Sequence, residues 1–271
     1  MVAPSMAIDG TADRARVVVP RNEVLRDITR GGLAGLIAGI VLAGIGGRIV
    51  MRFAALLVPE ATGKFTENGN RIGAITFDGT LALILFVGLF FGVVAGSLWV
   101  VVRPWLPGST AGRALASIPI ALALGTRGLV DSGNGDFALL GRDPVVIGSL
   151  VVLVALFGPA LALLDGWLDR RLPHAGPGDT PIVIAYLTIA IVGVVLTVLV
   201  VVPAYLGSEL RLAGLALVVV GLGTLATWVA LVRPLTLPPW VQVVARTALA
   251  IAVLAGLWVS ADEVATASRF P

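Results

Sequence analysis

Seven long apolar stretches, separated by short polar loops, run through this 271-residue chain. Blocks longer than ~18 residues match the hydrocarbon thickness of a bilayer. They point to an all-α integral membrane protein with about seven transmembrane helices. The composition agrees: 58% of residues are hydrophobic, 13% are charged and the mean hydropathy is +1.01. A soluble domain would carry about a quarter charged residues.

The residues that are missing exclude several chemistries. With no cysteine, disulfides, iron–sulfur clusters, thiolate zinc sites and thioether-linked haem are ruled out. His174 is the single histidine, so two histidines cannot sandwich a haem within the chain. Lys64 is the single lysine and lies in a loop, whereas a retinal Schiff base needs a lysine inside a late helix. The net charge of +3 is too small to suggest nucleic acid; the arginines report orientation first. Eighteen arginines against one lysine, with abundant Ala, Gly and Val, suggest a high-GC bacterial genome and a plasma (inner) membrane location.

The apolar runs place helices at 31–57, 80–102, 112–130, 145–167, 181–205, 212–232 and 240–260. The expected division is a cytoplasmic polar tail over 1–30, an uncleaved one because its apolar region comes too late for a signal peptide. A seven-helix domain follows over 31–260, and a short outer tail over 261–271. The third helix is the weakest. Its apolar run from Ala114 to Gly125 lies between Arg113 and Arg127 and covers only ~18 Å, so a re-entrant half-helix is the alternative to a full crossing. Arginine placement favours seven crossings, N-in and C-out. Arg14, Arg16, Arg21, Arg26, Arg30, Arg103, Arg113, Arg170, Arg171 and Arg233 then fall on the cytoplasmic side.

Two patterns concern packing. Gly31, Gly35, Gly39, Ala43 and Gly47 recur every fourth residue, as do Gly88, Gly92 and Gly96. Such ridges let backbones approach closely in lipid, where no hydrophobic drive pulls helices together. They serve either packing of the first helix on the second or a face for a homodimer or partner subunit. Separately, Trp99–Pro104 reads WVVVRP and Trp228–Pro234 reads WVALVRP. This is a faint sign of a parallel 3+1+3 repeat, although convergence on a common helix stop is the simpler explanation.

Polar chemistry concentrates in outer loops 58–79 and 126–144, both dense in Asn, Gly, Asp and Arg. The candidate ligand or lipid-headgroup residues are Arg48, Arg52, Asn68, Asn70, Arg71, Arg127, Asp131 and Asp136. Arg48 and Arg52 sit four apart on one helix face, below the end of the first helix. They suit either an ion pair with Asp131, Asp136 or Glu60 or bidentate contact with a phosphate. Asp165 and Asp169 read as an interfacial ion-pair cluster beside Arg170 and Arg171. Gly133–Asp136 matches the GxGD of intramembrane aspartyl proteases, and Pro159–Leu161 their PAL. The second, Tyr-Asp carboxylate that such enzymes need is absent. Asp131, Asn134 and Asp136 could offer oxygens to calcium, but not at EF-hand spacing.

No cofactor and no catalytic group is read from these residues. The expected role is a non-catalytic subunit or scaffold of a membrane complex, with the outer loops as docking surface. The alternative is a carrier or channel for a small solute or lipid. An enzyme acting on lipid headgroups would lack a nucleophile–base pair. The expected partners are the bilayer and other membrane subunits or a second copy.

Overall fold

A computed structural model describes residues 21–65, 71–74, 76–130, 133, 135–139, 143–176, 178–201, 203, 210–233 and 235–269. Its long helices are α1 (Arg21–Leu57), α2 (Phe77–Trp105), α3 (Thr110–Leu129), α4 (Pro144–Asp169), α5 (Thr180–Val201), α6 (Arg211–Val232) and α7 (Pro239–Arg269). No β-strand occurs among the described residues beyond a single Phe65–Arg71 bridge. All but α3 are long and apolar enough to cross a membrane, so the described residues hold six apolar helices of membrane-spanning length.

Local sequence explains where the helices start. Thr76 caps α2 by accepting the Gly79 N–H, Ser109 caps α3 by accepting the Gly112 N–H, and Asp143 accepts two N–H groups at the head of α4, with Pro144 next. Two helices outrun their apolar runs. α1 starts at Arg21 rather than 31, and α7 continues to Arg269. The residues immediately before position 31 are therefore helical, and Arg26, Thr29 and Arg30 are buried. The third helix is a continuous rod of 20 residues, about 30 Å long at 1.5 Å per residue.

α1 and α2 run antiparallel with their backbones in contact. A Cβ added at Gly35 would lie 2.5 Å from Gly96 Cα, one at Gly92 would lie 2.6 Å from Gly35 O, and one at Gly39 would lie 2.7 Å from Gly92 Cα. Gly47 differs, meeting only the Leu83 side chain. Both helices widen to π-helical geometry at this contact, over Gly39–Gly46 and Leu83–Phe91. Within the π stretch the contact steps by five residues, as i→i+5 geometry allows: Gly44 lies against Ile84 while Ala43 lines the space between the helices.

The neighbours form a closed ring. α1 packs on α2 and α4, α4 on α3, α3 on α7, α7 on α6, and α6 on α2. α5 sits outside the ring against α1 and α2, and its far side presents Ile184, Ile191, Val194 and Val198. Close contacts seal the joints. Gly158 of α4 lies against the Ser117 carbonyl of α3, beside the in-helix prolines Pro119 and Pro159. A Cβ at Gly256 of α7 would lie 2.5 Å from Ala123 O of α3, and Ser260 donates to Leu122 O at 3.0 Å. Thr224 of α6 donates to Val101 O of α2 at 2.6 Å and accepts from Trp105 Nε1 at 3.0 Å.

The WVVVRP and WVALVRP stretches do not share an environment. α6 and α7 pack along each other, whereas α3 packs chiefly on α4 and α7. Arg103 is buried and Arg233 is exposed.

Gly35→Leu should force α1 and α2 apart and cost about 1–3 kcal/mol or more, as overpacking does. Gly32→Ala should be tolerated, because its Cβ would meet only Ile189 Cγ2 at 3.8 Å. Thermal unfolding of the two variants in detergent, followed by size-exclusion elution, checks the contrast.

Candidate functional site

The two ends of the ring differ in kind, and an apolar cavity lies between them. At the end carrying the start of α1 and the ends of α2 and α4, three arginines meet three aspartates. Arg30 Nε donates to Asp165 Oδ1 at 2.8 Å, and Arg103 Nη1 donates to the same oxygen at 2.8 Å. Arg103 Nη2 reaches Asp27 Oδ2 at 2.5 Å, and Arg30 Nη2 lies 3.1 Å from Asp27 Oδ1. Arg30 and Arg26 both hold Asp169, Arg26 at 3.1 Å. Arg26 also donates to the Asp169 and Leu172 carbonyls, which ties down the chain after α4. Asp165 is the buried hub, at 2% exposure. His174 contacts Glu23 at 2.9 Å on the surface of this network.

These partners correct the sequence reading of Asp165 and Asp169, which set them beside Arg170 and Arg171. Both of those arginines are exposed, and Arg171 lies over the Trp167 ring at 4.9 Å. Along a helix, Asp165 and its neighbours in sequence point to different sides, so adjacency did not make pairs. One signal was available: Glu23, Arg26, Asp27 and Arg30 fall at three- and four-residue spacing on one face of α1.

At the opposite end the two polar loops come together. Residues 58–65 and 71–74 fold back on α1 and pair with each other, with Gly63 N donating to Ile72 O and Ile72 N to Lys64 O. Gly63 and Gly73 take positive φ, and a Cβ at Gly73 would press on Ala55 Cβ at 3.0 Å. Ala55, Ala61 and Ile72 form a small core against Val58 and Leu139, the last contributed by the helical turn Gly135–Leu139 of the second loop. The end of α7 joins in through Ala267, packed with Val130 and Ile147.

The candidate residues are distributed over this end. Arg48 is buried, at 6% exposure, while Arg52 is exposed and donates to Gly73 O at 2.5 Å. The shared helix face therefore does not give them a shared environment. Arg71 is exposed and pairs with Phe65 in the hairpin. Arg127 lies 3.7 Å from Glu263 of α7, a partner that no local pattern indicates. Asp136 is buried in the short helical turn. Asn68, Asn70 and Asp131 lie outside the described residues, as does Asn134 of the GxGD and calcium readings. Among the described residues, no group of three or more His, Cys, Asp or Glu is placed to hold a metal ion.

The cavity was not legible in the sequence. It has a volume of about 430 Å³ and is lined by α1, α2, α3 and α4, together with Leu210. It follows α2 from Phe91 to Val102, roughly 16 Å along the helix. Its wall is almost wholly apolar, with Trp99 and Ser117 toward the ion-pair end and Arg127 toward the loops. Ser117 Oγ already donates to Ala114 O at 2.7 Å. Among the described residues, Trp99 Nε1 is buried without a hydrogen-bond partner.

Asp165→Asn should leave Arg30 and Arg103 without their shared carboxylate and cost ~3–5 kcal/mol, as breaking a buried pair does. Asp169→Asn should cost clearly less, because that carboxylate is half exposed. Paired thermal melts in detergent check the order; equal losses would show that the network does not hinge on Asp165. Comparison of this chain with protein-family models, with curated proteins and with solved structures finds no match.

Proposed function

We propose that this chain is a non-catalytic subunit or scaffold of a bacterial plasma-membrane complex, and that its loop-capped end is the docking surface. All seven helices cross the bilayer in this reading, with the N-terminus inside and the C-terminus outside. The observation that carries the proposal is the cap itself. The described parts of two loops distant in sequence pack together around Ala55, Ala61, Ile72 and Leu139. That surface exposes Phe65 and Phe77 beside Arg52, Lys64 and Arg71, an aromatic and arginine composition common in protein interfaces. The other charged cluster has its three arginines matched by carboxylates, which favours a structural over a catalytic role.

The orientation draws on the arginine distribution. A cysteine placed at Lys64 should react with an impermeant thiol reagent from outside intact cells, and one at His174 should not; the reverse pattern would sink the topology.

The docking reading is tested by native mass spectrometry after mild-detergent extraction from the native membrane. A stoichiometric polypeptide should co-purify, and Phe65→Ser with Arg71→Glu should release it without lowering the melting temperature. A wild-type chain that arrives alone overturns the docking role. A second reading, a carrier or channel for a lipid or small apolar solute, is favoured by the internal cavity, whose volume lies within the usual range of ligand sites.

A further inference from the structure

We propose that the cavity takes the single hydrocarbon chain of an amphiphile, tail first, with its polar head left at the loop end. This rests on the second reading above, that the cavity is a binding site. The two ends of the cavity differ. At the ion-pair end it is shut by Trp99, Val102, Ser117 and Leu161, all of them buried. At the loop end its wall runs out to Arg127, which is partly exposed, and Gly128, which is exposed. Among the described residues, the cavity is thus blind at one end and reaches the surface at the other.

The wall between the ends selects what enters. Val94, Leu98, Ile120, Leu124, Val154 and Phe157 offer apolar contact along its length. The blind end offers a ligand no hydrogen bond: the Ser117 hydroxyl is directed at Ala114 O, and the Trp99 indole nitrogen is itself enclosed by protein. A polar group carried to that depth is left unpaired, at a cost. Water is not held there either, since it needs two to four polar partners. Among the described residues, the one cation on the wall is Arg127 at the open end, 3.7 Å from Glu263. Polarity at one end only fixes the direction of the ligand. Its size follows from the pocket. An extended chain advances about 1.2 Å per bond, so about twelve to fourteen carbons cover the roughly 16 Å along α2. A methylene is about the size of a water molecule, which takes up ~30 Å³ in the liquid, so about 430 Å³ is filled by roughly fourteen of them. Length and volume agree on one unbranched chain. A free fatty acid and one chain of a bilayer phospholipid both supply such a tail.

The test uses the full chain in lipid nanodiscs. Dodecanoic acid and dodecanedioic acid have the same length, but the diacid must bury its second carboxyl at the blind end. Thermal-shift titration should show the monoacid stabilising the protein. The diacid should bind about tenfold more weakly or worse, the cost of an unpaired buried polar group, with both affinities referred to the acid dissolved in the nanodisc. Trp99 serves as a depth gauge. ω-Bromododecanoic acid should quench its emission and α-bromododecanoic acid should not, and the difference between wild type and Trp99→Phe isolates that emission from the other tryptophans. Ala121→Phe, on the cavity wall, should weaken the monoacid and abolish the quenching. If either variant fails to fold, the comparison of the two acids in wild type still decides. The mass of the adduct on protein extracted from its native membrane names the source of the chain, a fatty acid or a phospholipid. Diacid binding as tight as the monoacid, or equal quenching by the two bromo acids, overturns the tail-first orientation and leaves the cavity as a binding site of another kind. If neither acid binds, the cavity reading and this inference fall together.

Discussion

Asp165 Oδ1 accepts from Arg30 on α1 and from Arg103 on α2 while sitting on α4. That one oxygen fixes three helices at a common level. In a bilayer such a fixed point matters more than in water, because lipid is as apolar as the helices and offers no general force to bring them together. Once α1, α2 and α4 are pinned at that end, the remaining contacts along their lengths have a register to follow. Asp27 and Asp169 complete the charge balance against Arg26, Arg30 and Arg103. Buried charge is tolerated only when it is matched and hydrogen-bonded in this way. Surface contacts at the same end, such as His174 with Glu23, add little by comparison.

Above the pinned end, the glycine rows of α1 and α2 let the backbones touch, and beyond Gly39 the contact passes to Gly44 within the π-helical stretch. Thin helices draw close on one side of the ring and leave space on the other. α3 and α4 are held apart from α2 by their own crossing at Gly158 and Ser117, and the cavity is the volume left between. Tight packing at the joints and an open interior are therefore two results of the same residue choice. At the far end, the loop hairpin, the Gly135–Leu139 turn and the end of α7 close over the bundle.

How much of this was legible differs from residue to residue. The glycine rows announce themselves by spacing, and the structure places Gly35, Gly39, Gly92 and Gly96 at a helix–helix contact. Asp143 before Pro144 marks the head of α4 in the same local way. The third helix was harder, since Arg113 and Arg127 shorten its apolar run; both lie within the helix, and its length is full. The ion-pair cluster at Asp165 and Asp169 was legible, but its partners on α1 and α2 were missed because Arg30 and Asp165 are 135 residues apart, and arginines before a first helix are read for orientation instead. Trp99 entered the sequence reading only as the start of WVVVRP; that its indole N–H has no partner among the described residues becomes visible only when its neighbours are in place.

Sequence alone determined that this chain is helical and that its helices are of membrane-spanning length. Inside lipid every backbone N–H and C=O must be satisfied within the segment, and long apolar runs leave no other choice. The tertiary structure decided the ring order, the charge partners, the meeting of two distant loops and the cavity. Those depend on how each helix is rotated and which helix stands beside it, and a one-dimensional pattern carries neither.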